Sequence, residues 1–162
     1  MSRMNTHLAA YVAGVIDSDG HISMGLKSVR GYPAWEYYAG ITLTKQAFLE
    51  QLVSDIGIGK GRVRPNPRNL NPRQNQSFRV KWSMASCAAL LVEIYPYLRL
   101  KKPQARLVLD FVQEKVQEQD NRVGSGRPYP QKIHDWGHKT SIKLHKLNKR
   151  GIDRQGELLL AV

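Results

Sequence analysis

Val12-Ala13-Gly14-Val15-Ile16-Asp17-Ser18-Asp19-Gly20 is the stretch on which the reading of this chain turns. It closes an apolar helix expected from about His7 to Asp17, with Thr6 as N-cap and Gly20 as its stop. Two carboxylates, Asp17 and Asp19, fall at the end where the helix macrodipole is negative. An anion prefers the opposite end by up to about 1 kcal/mol. Acids in that position ask for a cation. Asp, Ser and Gly also make ordinary turns, so these four residues alone favour a simple helix end. The residues before and after them reverse that. Ala10, Ala13, Gly14 and Asp17 recur at helical spacing on one side, and small side chains let a second backbone come close. That stripe is the expected contact between two copies of the chain.

Downstream, the period changes from helix to strand. In residues 21–27, Ile22, Met24 and Leu26 alternate with His21, Ser23, Gly25 and Lys27, the pattern of a half-buried strand. A turn at Gly31-Tyr32-Pro33 leads to a second strand from Trp35 to about Lys45, with Tyr37, Ala39, Ile41 and Leu43 on its apolar side. Phe48, Leu49, Leu52, Val53 and Ile56 then lie on one helical stripe, and Gly57 caps it. Another strand pair follows, in which Phe78, Val80 and Trp82 alternate with Arg79 and Lys81. Helices are expected from Ser83 to Ile94, stopped near Pro96, and from Lys102 to about Gln119 with Pro103 in its first turn. A Gly/Pro-rich link precedes a basic C-terminal piece.

Charge narrows the partners. The chain has 162 residues, and its 25 Lys and Arg outweigh 13 Asp and Glu to give a net charge of +12. An excess of that size suits a polyanion. Nucleic acid leads. An anionic membrane is second, lacking any long apolar run or greasy basic helix. Residues 57–82 hold seven Lys and Arg and no acid, so one sheet face is oily and the other cationic. On that cationic face the base-reading candidates are Lys27, Arg62, Arg64, Arg79 and Lys81, with Glu36, Tyr38 and Thr42 from the second strand. Arg68 and Arg73 sit in a Pro-, Asn- and Gln-rich loop that suits base edges and phosphates. Lys139 and Lys149, with their basic neighbours, are expected to touch phosphates. The single cysteine, Cys87, excludes an internal disulfide and reads as a buried hydrophobe. His134, His138 and His145 read as surface residues rather than a zinc site. The first residues carry no apolar core of a secretion signal, so an intracellular, DNA-containing compartment is expected: an organelle matrix or a bacterial or phage-host cytoplasm.

The nonapeptide resembles the LAGLIDADG motif, with Val12 and Val15 in place of leucines and Ser18 in place of alanine. The order of elements over roughly the first 115 residues is also similar to the single-motif, homodimeric LAGLIDADG homing endonucleases. The resemblance implies an α+β fold of αββαββα order, in which helices cover one face of an antiparallel sheet and the other face is left open and basic. The Gly/Pro-rich link from Gly124 to Pro130 sets the expected division into a core domain over 1–123 and a basic helical extension over 124–162 packed on it.

By the same resemblance, Asp19 matches the metal-binding catalytic aspartate and Ser18 the neighbour whose carbonyl helps hold metal. Lys101, in Tyr97-Leu98-Arg99-Leu100-Lys101-Lys102-Pro103-Gln104-Ala105, matches a catalytic-pocket lysine. The family's glutamine that orients pocket water falls at Thr44-Lys45-Gln46, where either Lys45 or Gln46 holds the role. The implied activity is divalent-metal-assisted hydrolysis of both strands of a long pseudo-palindromic DNA site, leaving short 3′ overhangs. Mg²⁺ is the expected metal, with Mn²⁺ able to substitute. The expected partners are double-stranded DNA and a second copy of the chain, with no membrane and no small-molecule substrate. The alternative is a non-cleaving intron RNA maturase or DNA-binding regulator built on the same fold.

Overall fold

Alternation in residues 20–43 becomes a hairpin. The computed structural model describes residues 4–29, 31–59, 61–67, 75–120 and 129–149. In it β1 (Gly20–Val29) and β2 (Tyr32–Leu43) pair antiparallel, from Gly20 opposite Ile41 to Val29 opposite Tyr32. The turn is therefore tighter than expected. Tyr32 and Pro33 already pair with Val29 and Ser28, and Gly31 supplies the positive φ (+83°) that a short hairpin connection demands. β4 (Phe78–Ser83) pairs with the other side of β2, and β3 (Arg64–Pro65) pairs with β4, giving the sheet order β1-β2-β4-β3.

Among the described residues, five helices accompany this sheet: α1 (Thr6–Asp19), α2 (Gln46–Ile56), α3 (Ala85–Ile94), α4 (Lys102–Asp120) and α5 (Gln131–Asn148), with a 3₁₀ turn at Tyr95–Tyr97. The cap of α1 is Asn5 rather than Thr6. Its side chain accepts the Leu8 N–H at 2.8 Å, as suits a residue that ranks above Thr as an N-cap. α2 ends as expected, on Gly57 in the left-handed conformation. α3 starts later than expected because Ser83 is still paired with Tyr38. The Met84 N–H bonds to the Tyr37 carbonyl at 3.0 Å before the helix begins.

Packing, more than caps, holds the layers. Val12 and Ile16 of α1, Leu49 of α2 and Leu90, Leu91 and Ile94 of α3 are buried with Ile22, Ala39, Ile41, Val80 and Trp82 of the sheet. Each large aliphatic side chain so buried is worth about 1.5–3 kcal/mol, against about 1 kcal/mol for a cap. Leu26, expected on the covered face, is 58% exposed, whereas its cross-strand partner Trp35 is buried against α5. Burial pushes the Cys87 thiol up to about 12, which keeps it protonated and inert. Among the described residues, no helix is long and apolar enough to cross a membrane.

α5 packs beside α4 and adds Ile133 and Leu144 to the core. It lies along the outer edge of β1, where the Ser141 hydroxyl donates to the Met24 carbonyl (3.1 Å) and the Asn148 amide to the Ile22 carbonyl (2.8 Å). The helix comes so near that a Cβ at Gly137 would sit 2.3 Å from the Trp35 ring. The expected boundary after residue 123 falls outside the described residues.

Gly137→Ala should therefore lower stability by about 1–3 kcal/mol, the usual cost of overpacking. Urea denaturation followed by Trp fluorescence measures it.

Candidate functional site

The two acids of the opening stretch do different jobs. Asp17 faces inward at the end of α1, and its carboxylate accepts the Arg99 N–H at 2.7 Å and the Lys101 N–H at 2.8 Å. The Lys101 ammonium turns back to donate to the Asp17 carbonyl. This carboxylate is spent on the backbone ahead of α4. Asp19 is exposed and accepts the Ser18 hydroxyl at 2.9 Å. Burial pushes the Lys101 ammonium below its usual value, while Asp17 and Asp19 pull the other way. The unfolded chain then holds that proton more tightly, so stability rises with pH between the lowered folded value and the unfolded one.

The proposed contact stripe also divides. Ala13 is fully buried in its own chain, beneath the helix, and is not available to a second copy. Ala10 and Gly14 are exposed, and Tyr11 beside them is 52% exposed. His7, Tyr11, Gly14 and Ser18 follow helical spacing along that open face. Tyr11 was missed because a large aromatic spoils a small-residue pattern, though its spacing was there to be read.

β2 delivers Lys45 and Gln46 to the same end of the sheet. Gly20, which follows Asp19, pairs with Ile41, and β2 runs on only to Leu43 before α2 begins. Gln46 spends its amide on Glu50, one helical turn along, at 2.8 Å. Lys45 is exposed. Neither makes a described bond with Asp17, Asp19 or Lys101.

The open face of the sheet carries Lys27, Tyr38, Thr42, Arg79 and Lys81, all placed there by register. Arg64 stands directly opposite Arg79, a like-charge pairing that costs stability. Together with Arg62 and Lys81 they line a shallow cavity of about 300 Å³ walled by cations alone. Arg68 and Arg73 lie outside the described residues.

On α5 the expected phosphate contacts separate. Lys149 borders a cleft of about 370 Å³ beside Ser23, with His138 and His145. Lys139 instead lines a groove between α4 and α5, near Asp110 and Asp135, while Lys149 stands just past the helix as its C-cap. His138 and His145 share a stripe at positions i and i+7, the signal that assigns these histidines to the sheet side.

What could hold a metal is limited. Among the described residues, no three His, Cys, Asp or Glu side chains cluster closely enough in one chain to bind an ion. An exposed carboxylate beside the carbonyl-rich end of α1 is a hard, anionic donor set, suited to Mg²⁺ or Ca²⁺, but incomplete without donors from elsewhere.

No family model matches the chain. It is 27% identical over 126 residues to the DNA endonuclease I-CreI of Chlamydomonas reinhardtii, covering 70% of this chain and 67% of that one. Its fold is similar to that of the homing endonuclease I-CvuI, solved with the I-CreI target in the presence of Mg (TM-score 0.67, 20% identity, 93% of this chain and 89% of that one). It also matches the LAGLIDADG homing endonuclease I-LtrWI bound to target DNA (TM-score 0.55, 14% identity), covering 94% of this chain but 48% of the other.

Stability separates the two acids. Asp17→Asn should cost about 1.5–3 kcal/mol, the worth of hydrogen bonds to a charged group, whereas Asp19→Asn should change stability by no more than about 0.5 kcal/mol. Paired urea melts test the difference.

Proposed function

We propose that this chain is a LAGLIDADG homing endonuclease that binds a long pseudo-palindromic DNA site as a homodimer and hydrolyses both strands. The observation that carries this reading is the division of labour at the end of α1. Asp17 is consumed in fixing Lys101, Asp19 is left exposed, and both sit at one end of a cationic sheet face.

The open sheet face lies along the duplex. Arg62, Arg64, Arg79 and Lys81 meet acceptors there, and the neutralisation of phosphates drives association. Contact between two α1 helices through Ala10, Tyr11 and Gly14 brings the second Asp19 that one chain lacks. The half-length match to I-LtrWI supports this, since that chain has room for two copies of the fold. Asp19 and the Ser18 carbonyl would hold Mg²⁺, or Mn²⁺ in its place. Such an ion, when bound, supplies Lewis acidity and a more acidic water. Lys101, pinned by the Asp17 carbonyl, holds a positive charge beside the scissile phosphate. Lys45 or Gln46 orients water at the same end. Cutting across the minor groove leaves short 3′ overhangs.

Asp19→Asn should lose at least about a hundredfold in cleavage rate, the scale of removing one preorganised charge-stabilising group. Its DNA affinity should stay within about twofold. Incubation of both proteins with a duplex library and Mg²⁺, with and without EDTA, tests this. Cutting by the wild type alone, abolished by EDTA, is the expected outcome. Tight binding with no cutting by either protein would favour a maturase or regulator. Arg79→Ala should flatten the dependence of log affinity on log salt by about one unit, read by fluorescence anisotropy across a salt series.

A further inference from the structure

Glu36 is the only acid in the four described strands, and it stands on the face that the DNA-binding reading assigns to the duplex. There it lies between two lysines. Its Oε2 is 3.2 Å from the Lys81 Nζ, and its Oε1 is 3.8 Å from the Lys27 Nζ. Lys81 is laid across the Tyr38 ring, 3.8 Å from the centroid, to reach it. The pairs are partly exposed, and exposed ion pairs contribute little to stability. Structure alone does not account for a carboxylate here. Facing a polyanion, it would be repelled by phosphates and would weaken association with any sequence.

A base edge removes the conflict. In the major groove the cytosine N4 amino group is a donor that a carboxylate accepts, and the guanine O6 and N7 are acceptors that a lysine satisfies. Those donor and acceptor groups are neighbours, because O6 and N4 hydrogen-bond to each other within the G·C pair. An ammonium and a carboxylate 3.2 Å apart present the complementary order. Lying over the Tyr38 ring, Lys81 holds its ammonium beside the Glu36 carboxylate on the open face.

We propose that the Lys81–Glu36 pair reads one G·C base pair in each half-site, with Glu36 accepting from cytosine N4 and Lys81 donating to guanine. This rests on the site-specific DNA-binding reading given above. Replacing that cytosine by adenine should weaken wild-type binding about tenfold to a hundredfold. Glutamine pairs with adenine N6 and N7, so Glu36→Gln should move the preference at that one position from cytosine to adenine.

The test is binding selection from a pool of randomised duplexes by the wild type, Glu36→Gln and Lys81→Met, with a melting curve for each to confirm folding. Expected is a G·C pair fixed symmetrically in the wild-type sites. Glu36→Gln should shift it and Lys81→Met should relax it, with every other position unchanged. Wild-type sites retained in full by Glu36→Gln, or a uniform gain in affinity with no change at any position, would overturn the proposal while leaving site-specific binding intact. Failure of the wild type to enrich any sequence would overturn the underlying reading, and this one with it.

Discussion

A single carboxylate joins the two halves of the candidate site. Asp17 accepts two backbone N–H groups from the segment ahead of α4, and its own carbonyl takes the Lys101 ammonium. An anion at the C-terminal end of a helix is unfavourable. Here that cost is offset by charge-assisted bonds, each worth about 1.5–3 kcal/mol. Residues more than eighty positions apart in sequence are thereby locked in one place, and the end of α1 is aimed by α4. Asp19, two residues on, inherits a fixed position without contributing to the fixation. Support and chemistry are thus assigned to separate acids, so the second can stay exposed.

How much of this was legible in the sequence follows from the range of the interactions. Period-two alternation placed Ile22, Met24, Ala39, Ile41 and Val80 correctly, because register is a local property once one face is buried. Leu26 broke the pattern because burial depends on what covers a strand, and α5 seals its partner Trp35 while leaving Leu26 open. Ala13 and Ala10 looked alike as small residues on one helix. Only the position of the sheet tells that the first is sealed in its own core and the second open. The bonds of Asp17 escaped a local reading for the same reason, since its partners Arg99 and Lys101 are distant along the chain. The divergence of Lys139 from Lys149 depends on where α4 lies and where α5 ends.

The cationic face shows a different compromise. Arg64 opposite Arg79 is a pairing that a sheet selected for stability alone would avoid. The repulsion is small beside the burial of Trp82 and Val80 on the reverse of β4. One side of the strand can therefore carry unfavourable charge because its other side is well packed. Glu36 softens this field at one point, drawing Lys81 down onto Tyr38 and giving the face local polarity.

The edges of the sheet limit how such a chain can meet its own copies. On one side, Ser141 and Asn148 occupy carbonyls of β1 that another strand would need. On the other, β3 is two residues long and contains Pro65, which has no N–H to offer. Neither border among the described residues invites strand addition, the common route by which open sheets form unlimited aggregates. Growth by accretion is closed off, and the exposed ridge of α1 is left as a place to meet. An edge that cannot accept a strand leaves helix faces as the surfaces by which such a sheet can meet another molecule.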